Sequence, residues 1–217
     1  MKIAFVGDSF CAEHKFPECT PWTKMLLEEY NATSIQKGID GDCLFHAYQK
    51  LLKVVDDTDY IIICVTEPDR LPNMEELPIS ISIAESHSHS LSKDIRKAAL
   101  MYYKHLINRD FHRAAHLGIL MQADQLILEK KKKCIWFWCF HNSSGERDFA
   151  GLQVDQSYKI RSGPHGNTPL INFTEQNTLI PTANHFSKEQ NENMFTLIKD
   201  IIDKDAFEPK PIDMNII

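Results

Sequence analysis

Short apolar runs along this chain alternate with longer stretches in which apolar residues recur every three or four positions. Residues 3–9, IAFVGDS, form an apolar run closed by a glycine turn and a serine, the pattern of a buried strand that ends at a sheet edge. Tyr60–Val65, YIIICV, and residues 134–140, CIWFWCF, have the same character, and residues 34–36 fit a shorter strand. Helical spacing begins at residues 22–30, behind Thr20 as a cap and Pro21 in the first turn. It returns in Leu44, Phe45, Tyr48, Leu51, Leu52 and Val55. A third apolar face runs through Ile95, Ala98, Ala99, Tyr102, Tyr103, Leu106 and Ile107, and a fourth helix is expected from Asp110 to about Glu129. Ser187 and Gln190 make a capping box ahead of the stripe Met194, Phe195, Ile198, Ile201 and Ile202.

Strands that alternate with helices predict a three-layer α/β/α sandwich around a mostly parallel sheet. The 217 residues read as a single domain, 1–217, carrying a helical insertion at about 85–130. Pro68, Pro72 and Pro78 make residues 67–90 a loop. Residues 141–180 are polar and glycine-bearing, and are expected to lie over the sheet edge, where long irregular segments usually shape a site.

Charge and composition narrow the function. A net charge of −6, from 30 acidic and 24 basic residues, argues against a nucleic-acid partner, since phosphate neutralisation needs a basic surface. The lysines at 130–133 fit a solvated helix end. The chain enters its first strand at once, so no signal peptide is expected, and no apolar run reaches the roughly 20 residues of a membrane span. Six scattered cysteines without a CxxC pair fit a reduced, cytoplasmic setting, with Cys64 and Cys134 packed in strands. Among ten histidines, His87 with His89 and His112 with His116 have spacings a metal could use, but neither has the glutamate of HExxH or a cysteine or carboxylate partner, so no metal is expected. Gly7 stands without the other glycines of G-x-G-x-x-G, so no dinucleotide cofactor is expected either.

Three separated stretches fall into one pattern: GDS at 7–9, GIDGD at 38–42 after the second strand, and TANHFS at 182–187 before the last helix. Together they resemble the blocks of the SGNH, or GDSL-like, hydrolases. The resemblance implies a flavodoxin-like sandwich and a serine esterase or acyl hydrolase, with Ser9 as nucleophile, the Ser9 and Gly41 amides as oxyanion donors, and His185 as general base. It also implies an ester substrate, either a small molecule or an O-acyl group on a glycan. An aromatic-containing first helix and NHFS before a helix are similar, more weakly, to phage-encoded members, which would work in the cytoplasm of an infected host. The chemistry is coherent, because a serine hydroxyl becomes a useful nucleophile only when a base takes its proton and donors wait for the oxyanion. Asp8 is expected to hydrogen-bond the turn, and Asp8, Thr66, Glu67, Asp69, Arg70, Thr182 and Asn184 are candidate pocket-lining residues. Two positions depart from the family. Pro68 stands where an asparagine donates to the oxyanion, and Thr182 where an aspartate orients the histidine. Two alternatives remain open: Ser9 as a helix cap, and the whole chain as a catalytically degenerate binding or structural protein on the same fold.

Overall fold

A computed structural model describes residues 1–13, 19–74, 78–86, 91–139 and 186–207. Four strands, β1 (Lys2–Gly7), β2 (Thr33–Gln36), β3 (Tyr60–Val65) and β4 (Lys133–Trp138), form one sheet in the order β2-β1-β3-β4, every neighbouring pair parallel. Among the described residues six α-helices accompany them: α1 (Trp22–Glu29), α2 (Leu44–Val54), α3 (Ile81–Glu85), α4 (Lys93–His105), α5 (Arg109–Glu129) and α6 (Lys188–Asp203).

After their first residues β1, β3 and β4 are apolar and buried because the sheet is covered on both faces, whereas the edge strand β2 is the polar, partly exposed TSIQ. Ile3, Phe5, Ile62, Cys64, Ile135 and Phe137 point toward α1 and α6, where they meet Trp22, Leu26, Met194 and Ile198. Their neighbours Ala4, Val6, Ile61, Ile63, Val65 and Trp136 point the other way, onto Ala47 and Leu51 of α2 and Leu120 and Ile127 of α5. This is the expected α/β/α sandwich. Ile79, Ala84, Leu91, Ala99 and Tyr103 build a smaller separate core under α3 and α4.

Several details differ from the sequence reading. Pro21, not Thr20, occupies the N-cap of α1, and a proline side chain caps nothing; the first amide of the helix, Trp22 N–H, instead donates to Asn191 Oδ1 of α6 at 3.0 Å. Within the proline-rich segment expected to be all loop, Ser80 caps the five-residue helix α3. Asn108 caps α5, so that helix starts one residue before Asp110. The basic run ends α5 as expected, with Lys130 paired to Asp56 at 2.7 Å and Lys132 Nζ donating to the Asp56 and Thr58 carbonyls. Residues 141–180 lie outside the described residues. No helix among the described residues is long and apolar enough to cross a membrane.

Strand order marks the candidate crevice. The chain leaves β1 for β2 on one side, while β3 and β4 continue on the other, so the loops after β1 and β3 diverge at a topological switch point. Ser9 follows β1, and residues 66–70 follow β3.

Candidate functional site

The turn after β1 is built by Asp8. Its Oδ1 accepts the Phe10 N–H at 3.2 Å and its carbonyl accepts Cys11 N–H at 3.1 Å, winding Ser9–Cys11 into one turn of 3-10 helix. Asp8 therefore has the turn-bonding role read from the sequence. The capping role considered for Ser9 belongs to Asp8, and Ser9 itself is half-buried. Trp22 Nε1–H donates to the Phe10 carbonyl at 2.9 Å and anchors the turn to α1.

The GIDGD turn lies against this one. Ile39 N–H donates to Gly7 O at 3.0 Å, and a Cβ on Gly38 would come within 2.7 Å of the Asp8 carbonyl oxygen. Gly41 has φ +73°, and a Cβ there would meet Pro78. The two turns carrying Ser9 and Gly41 are thus in direct contact at the ends of β1 and β2.

Arg70, from the loop after β3, joins them. Its side chain is 8 % exposed: Nη1 donates to the Asp42 carbonyl at 3.2 Å, Nη2 stands 3.4 Å from Asp8 Oδ2, and Nε donates to Glu67 Oε2 at 3.4 Å. Asp8 is fully buried, and burial pushes its carboxyl above the ordinary range, with the nearby guanidinium pulling in the opposite direction. Of the pocket-lining candidates, the structure brings Asp8, Thr66, Glu67 and Arg70 together. Asp69 turns away, with Oδ2 3.7 Å from Arg109 Nε and its carbonyl accepting the Tyr103 hydroxyl at 2.8 Å.

A second charged group lies beneath the Gly41 turn and was missed in the sequence. Buried Asp42 accepts the Cys43 N–H, stands 3.2 Å from His46 Nδ1, and pairs with Lys50 Nζ at 2.5 Å. The i, i+4, i+8 spacing of Asp42, His46 and Lys50 was its only signal, hidden within the apolar stripe of α2. Ligand atoms of Asp42, Cys43 and His46 come within 4.8 Å of one another, close enough for a metal. However, the Lys50 ammonium already sits on Asp42, and burial raises the Cys43 thiol above its ordinary pKa, so the group reads as an ion-pair network.

The HRAAH pair also finds its use. His112 Nδ1–H donates to the Pro68 carbonyl at 3.2 Å while Nε2 accepts the Tyr102 hydroxyl at 2.6 Å, and His116 Nε2–H donates to the Thr66 carbonyl at 3.0 Å. Two turns of α5 thus hold the loop after β3. Burial lowers His116 from 6.5 to about 4, favouring the neutral ring. The unfolded chain therefore binds this proton more readily, so the stabilisation is present above pH 6.5 and is lost as the pH falls toward 4, by up to about 3 kcal/mol. Urea unfolding from pH 7.5 to 4 should show the gap between wild type and His116→Gln closing as the pH drops; a constant gap would contradict the buried neutral ring.

Thr182, Asn184 and His185 lie outside the described residues. No family model matches the sequence and no curated protein is similar to it. Among solved structures, a candidate lipolytic protein of the G-D-S-L family from Desulfitobacterium hafniense DCB-2 superimposes with a TM-score of 0.50 at 11 % identity, over 92 % of this chain and 98 % of that one. The fold is SGNH/GDSL-like. A candidate GDSL-like lipase from Parabacteroides merdae ATCC 43184 also matches, at 12 % identity over 99 % of this chain and 88 % of that one, with a TM-score of 0.31 that adds nothing to the argument. Because the sheet of this chain is parallel, the loops after β1, β2 and β3 leave the same edge, where Asp8, Arg70 and Asp42 meet.

Proposed function

We propose that the protein is a serine ester hydrolase of the SGNH type. The observation that carries this reading is the contact between the Ser9 turn and the Gly41 turn, joined by the buried Arg70 guanidinium. Ser9 Oγ attacks the ester carbonyl, His185 takes its proton, and the Ser9 and Gly41 amides hold the oxyanion. Collapse of the tetrahedral intermediate releases the alcohol, which takes the proton from His185. Water activated by the same imidazole then cleaves the acyl-serine. Proline at position 68 removes the family's side-chain donor, and the Arg70 charge close behind the two turns supports the developing negative charge instead. The substrate class is a small acyl ester or an O-acylated glycan. All six cysteines are free thiols, which suits a reducing cytoplasm, that of an infected bacterium if the likeness to phage-encoded members holds.

The test is labelling with a fluorophosphonate probe and hydrolysis of p-nitrophenyl acetate, wild type beside Ser9→Ala. Labelling and turnover confined to the wild type are expected, whereas equal signals from both proteins would overturn the hydrolase reading. A second reading, a non-catalytic binding protein on the same fold, is favoured by Pro68, which has no N–H and whose carbonyl is held by His112. It predicts no labelling of either protein.

A further inference from the structure

The helical insertion carries charge of the opposite sign to the rest of the chain. Residues 93–113 hold six basic and two acidic side chains, a net charge of +4, so the rest of the chain carries −10 and the whole −6. The same segment exposes an apolar groove. α4 and α5 meet near their connecting turn, where the Tyr102 hydroxyl donates to His112 Nε2 at 2.6 Å. Farther along, a cavity of about 670 Å³ separates them, lined by Ile95 and Ala98 of one helix and Ala115 and Ile119 of the other. Leu106 and Phe111 at its mouth are 71 % and 68 % exposed, and Met101 on its rim is 51 % exposed. One exposed apolar side chain is ordinary, but three around a single recess mark an interaction surface. Lys97 and Lys104 stand four residues before and three after Met101, on the same side of α4, and neither has an ion-pair partner among the described residues.

We infer that this groove docks an amphipathic α-helix of a partner protein, apolar along one side and acidic along its flanks. Three properties select that occupant. The polar groups at the cavity floor are already used: both histidines bond the Pro68 and Thr66 carbonyls, and Arg70 is held by Glu67, Asp8 and the Asp42 carbonyl. An extended segment would therefore bury backbone N–H and C=O groups without partners, whereas a helix satisfies its own. The 13 residues of α4 give the groove a length of about 20 Å, three to four turns of a bound helix, and the small Ala98 and Ala115 leave room for its apolar side chains. The rim lysines favour acidic flanks, and a second copy of this chain docked through the same face would set lysines against lysines. A bilayer surface is too flat to enter the recess. Docking here needs nothing from Ser9 or His185, so it stands apart from the hydrolase reading.

The test uses the full chain and a fluorescein-labelled peptide of about fourteen residues, with leucines at i, i+3, i+7 and i+10 and glutamates and alanines elsewhere, followed by fluorescence anisotropy. Saturable binding is expected, at least tenfold tighter than that of the same peptide with lysines for glutamates, and lost when the leucines are scattered around the helix. Ala98→Trp and Ala115→Trp each fill the groove from an exposed position and should weaken binding at least tenfold at an unchanged thermal midpoint. Lys97→Glu combined with Lys104→Glu should reverse the preference, so that the lysine peptide binds more tightly than the glutamate peptide. Binding of neither peptide up to about 0.5 mM, binding untouched by both tryptophans, or a preference that ignores the lysine reversal would overturn the inference. So would a dimer in sedimentation velocity that either tryptophan dissolves, or binding to phosphatidylglycerol vesicles in place of the peptide.

Discussion

Alanine in place of Gly7 is expected to leave little folded protein. Gly7 has φ +134°, in a region open to glycine and rarely adopted by residues with a Cβ. The added carbon would also overlap the Cys64 carbonyl, the backbone of β3 that pairs with Gly7 in register. That strand is held between β1 and β4, so it cannot move aside without breaking both ladders. Backbone strain and overpacking together cost about 4 kcal/mol or more, a large share of the 5–15 kcal/mol that stabilises an ordinary domain. Gly118→Ala is the matching control. Gly118 lies within α5 with nothing near its would-be Cβ, so alanine there should stabilise by about 0.5–1 kcal/mol. Denaturant unfolding of both variants tests the pair; a Gly7→Ala protein as stable as wild type would contradict this turn. The same crowding explains why the serine turn starts where it does, since β1 can bend away from β3 only at a residue without a side chain.

Arg70→Met should cost about 3–5 kcal/mol, the usual result of removing one partner from a buried charge pair. Methionine fills much of the volume but leaves the buried Asp8 carboxylate without its cation and the Asp42 carbonyl without its donor. The pH dependence separates charge loss from simple cavity formation. Asp8 already titrates above 3.8 because it is buried, and without the guanidinium it should titrate higher still. A carboxyl whose folded pKa is raised gives its full stability below the unfolded value and loses it as the pH rises. The deficit of Arg70→Met should therefore be largest near neutrality and shrink toward pH 4. Asp8→Asn in the same background should recover part of the loss, a coupling that unfolding of the four proteins in the cycle would measure. A pH-independent deficit with no coupling would show that Arg70 contributes packing alone. If the hydrolase reading holds, the variant should also lose turnover more than substrate affinity, because the two oxyanion turns would no longer be held together.

Much of the architecture was legible because it depends on local pattern. YIIICV could be placed from its β-branched residues, and the Ser187–Gln190 capping box marked the start of α6 to the residue. The turns at 7–9 and 38–42 were legible because glycine is required wherever backbone approaches backbone. Helix starts that depend on distant partners were not. The α1 N-terminus is capped by Asn191, 169 residues away, and no local signal at Thr20 or Pro21 could reveal that. The spacing of His112 and His116 reports only that two rings share a helix face, a pattern a metal could use equally well. That each ring grips a carbonyl of the loop after β3 follows from how α5 crosses the sheet.

The division follows from the range of the forces. Periodicity, turn chemistry and burial demand act over a few residues, so the chain itself determined its strands, its longer helices, its layered class and the candidate serine. Which charges meet in the interior depends on strand order. The order β2-β1-β3-β4 brings the loop carrying Arg70 to both Asp8 and Asp42, and the packing of α2, α4 and α5 lines the open apolar cavity behind it.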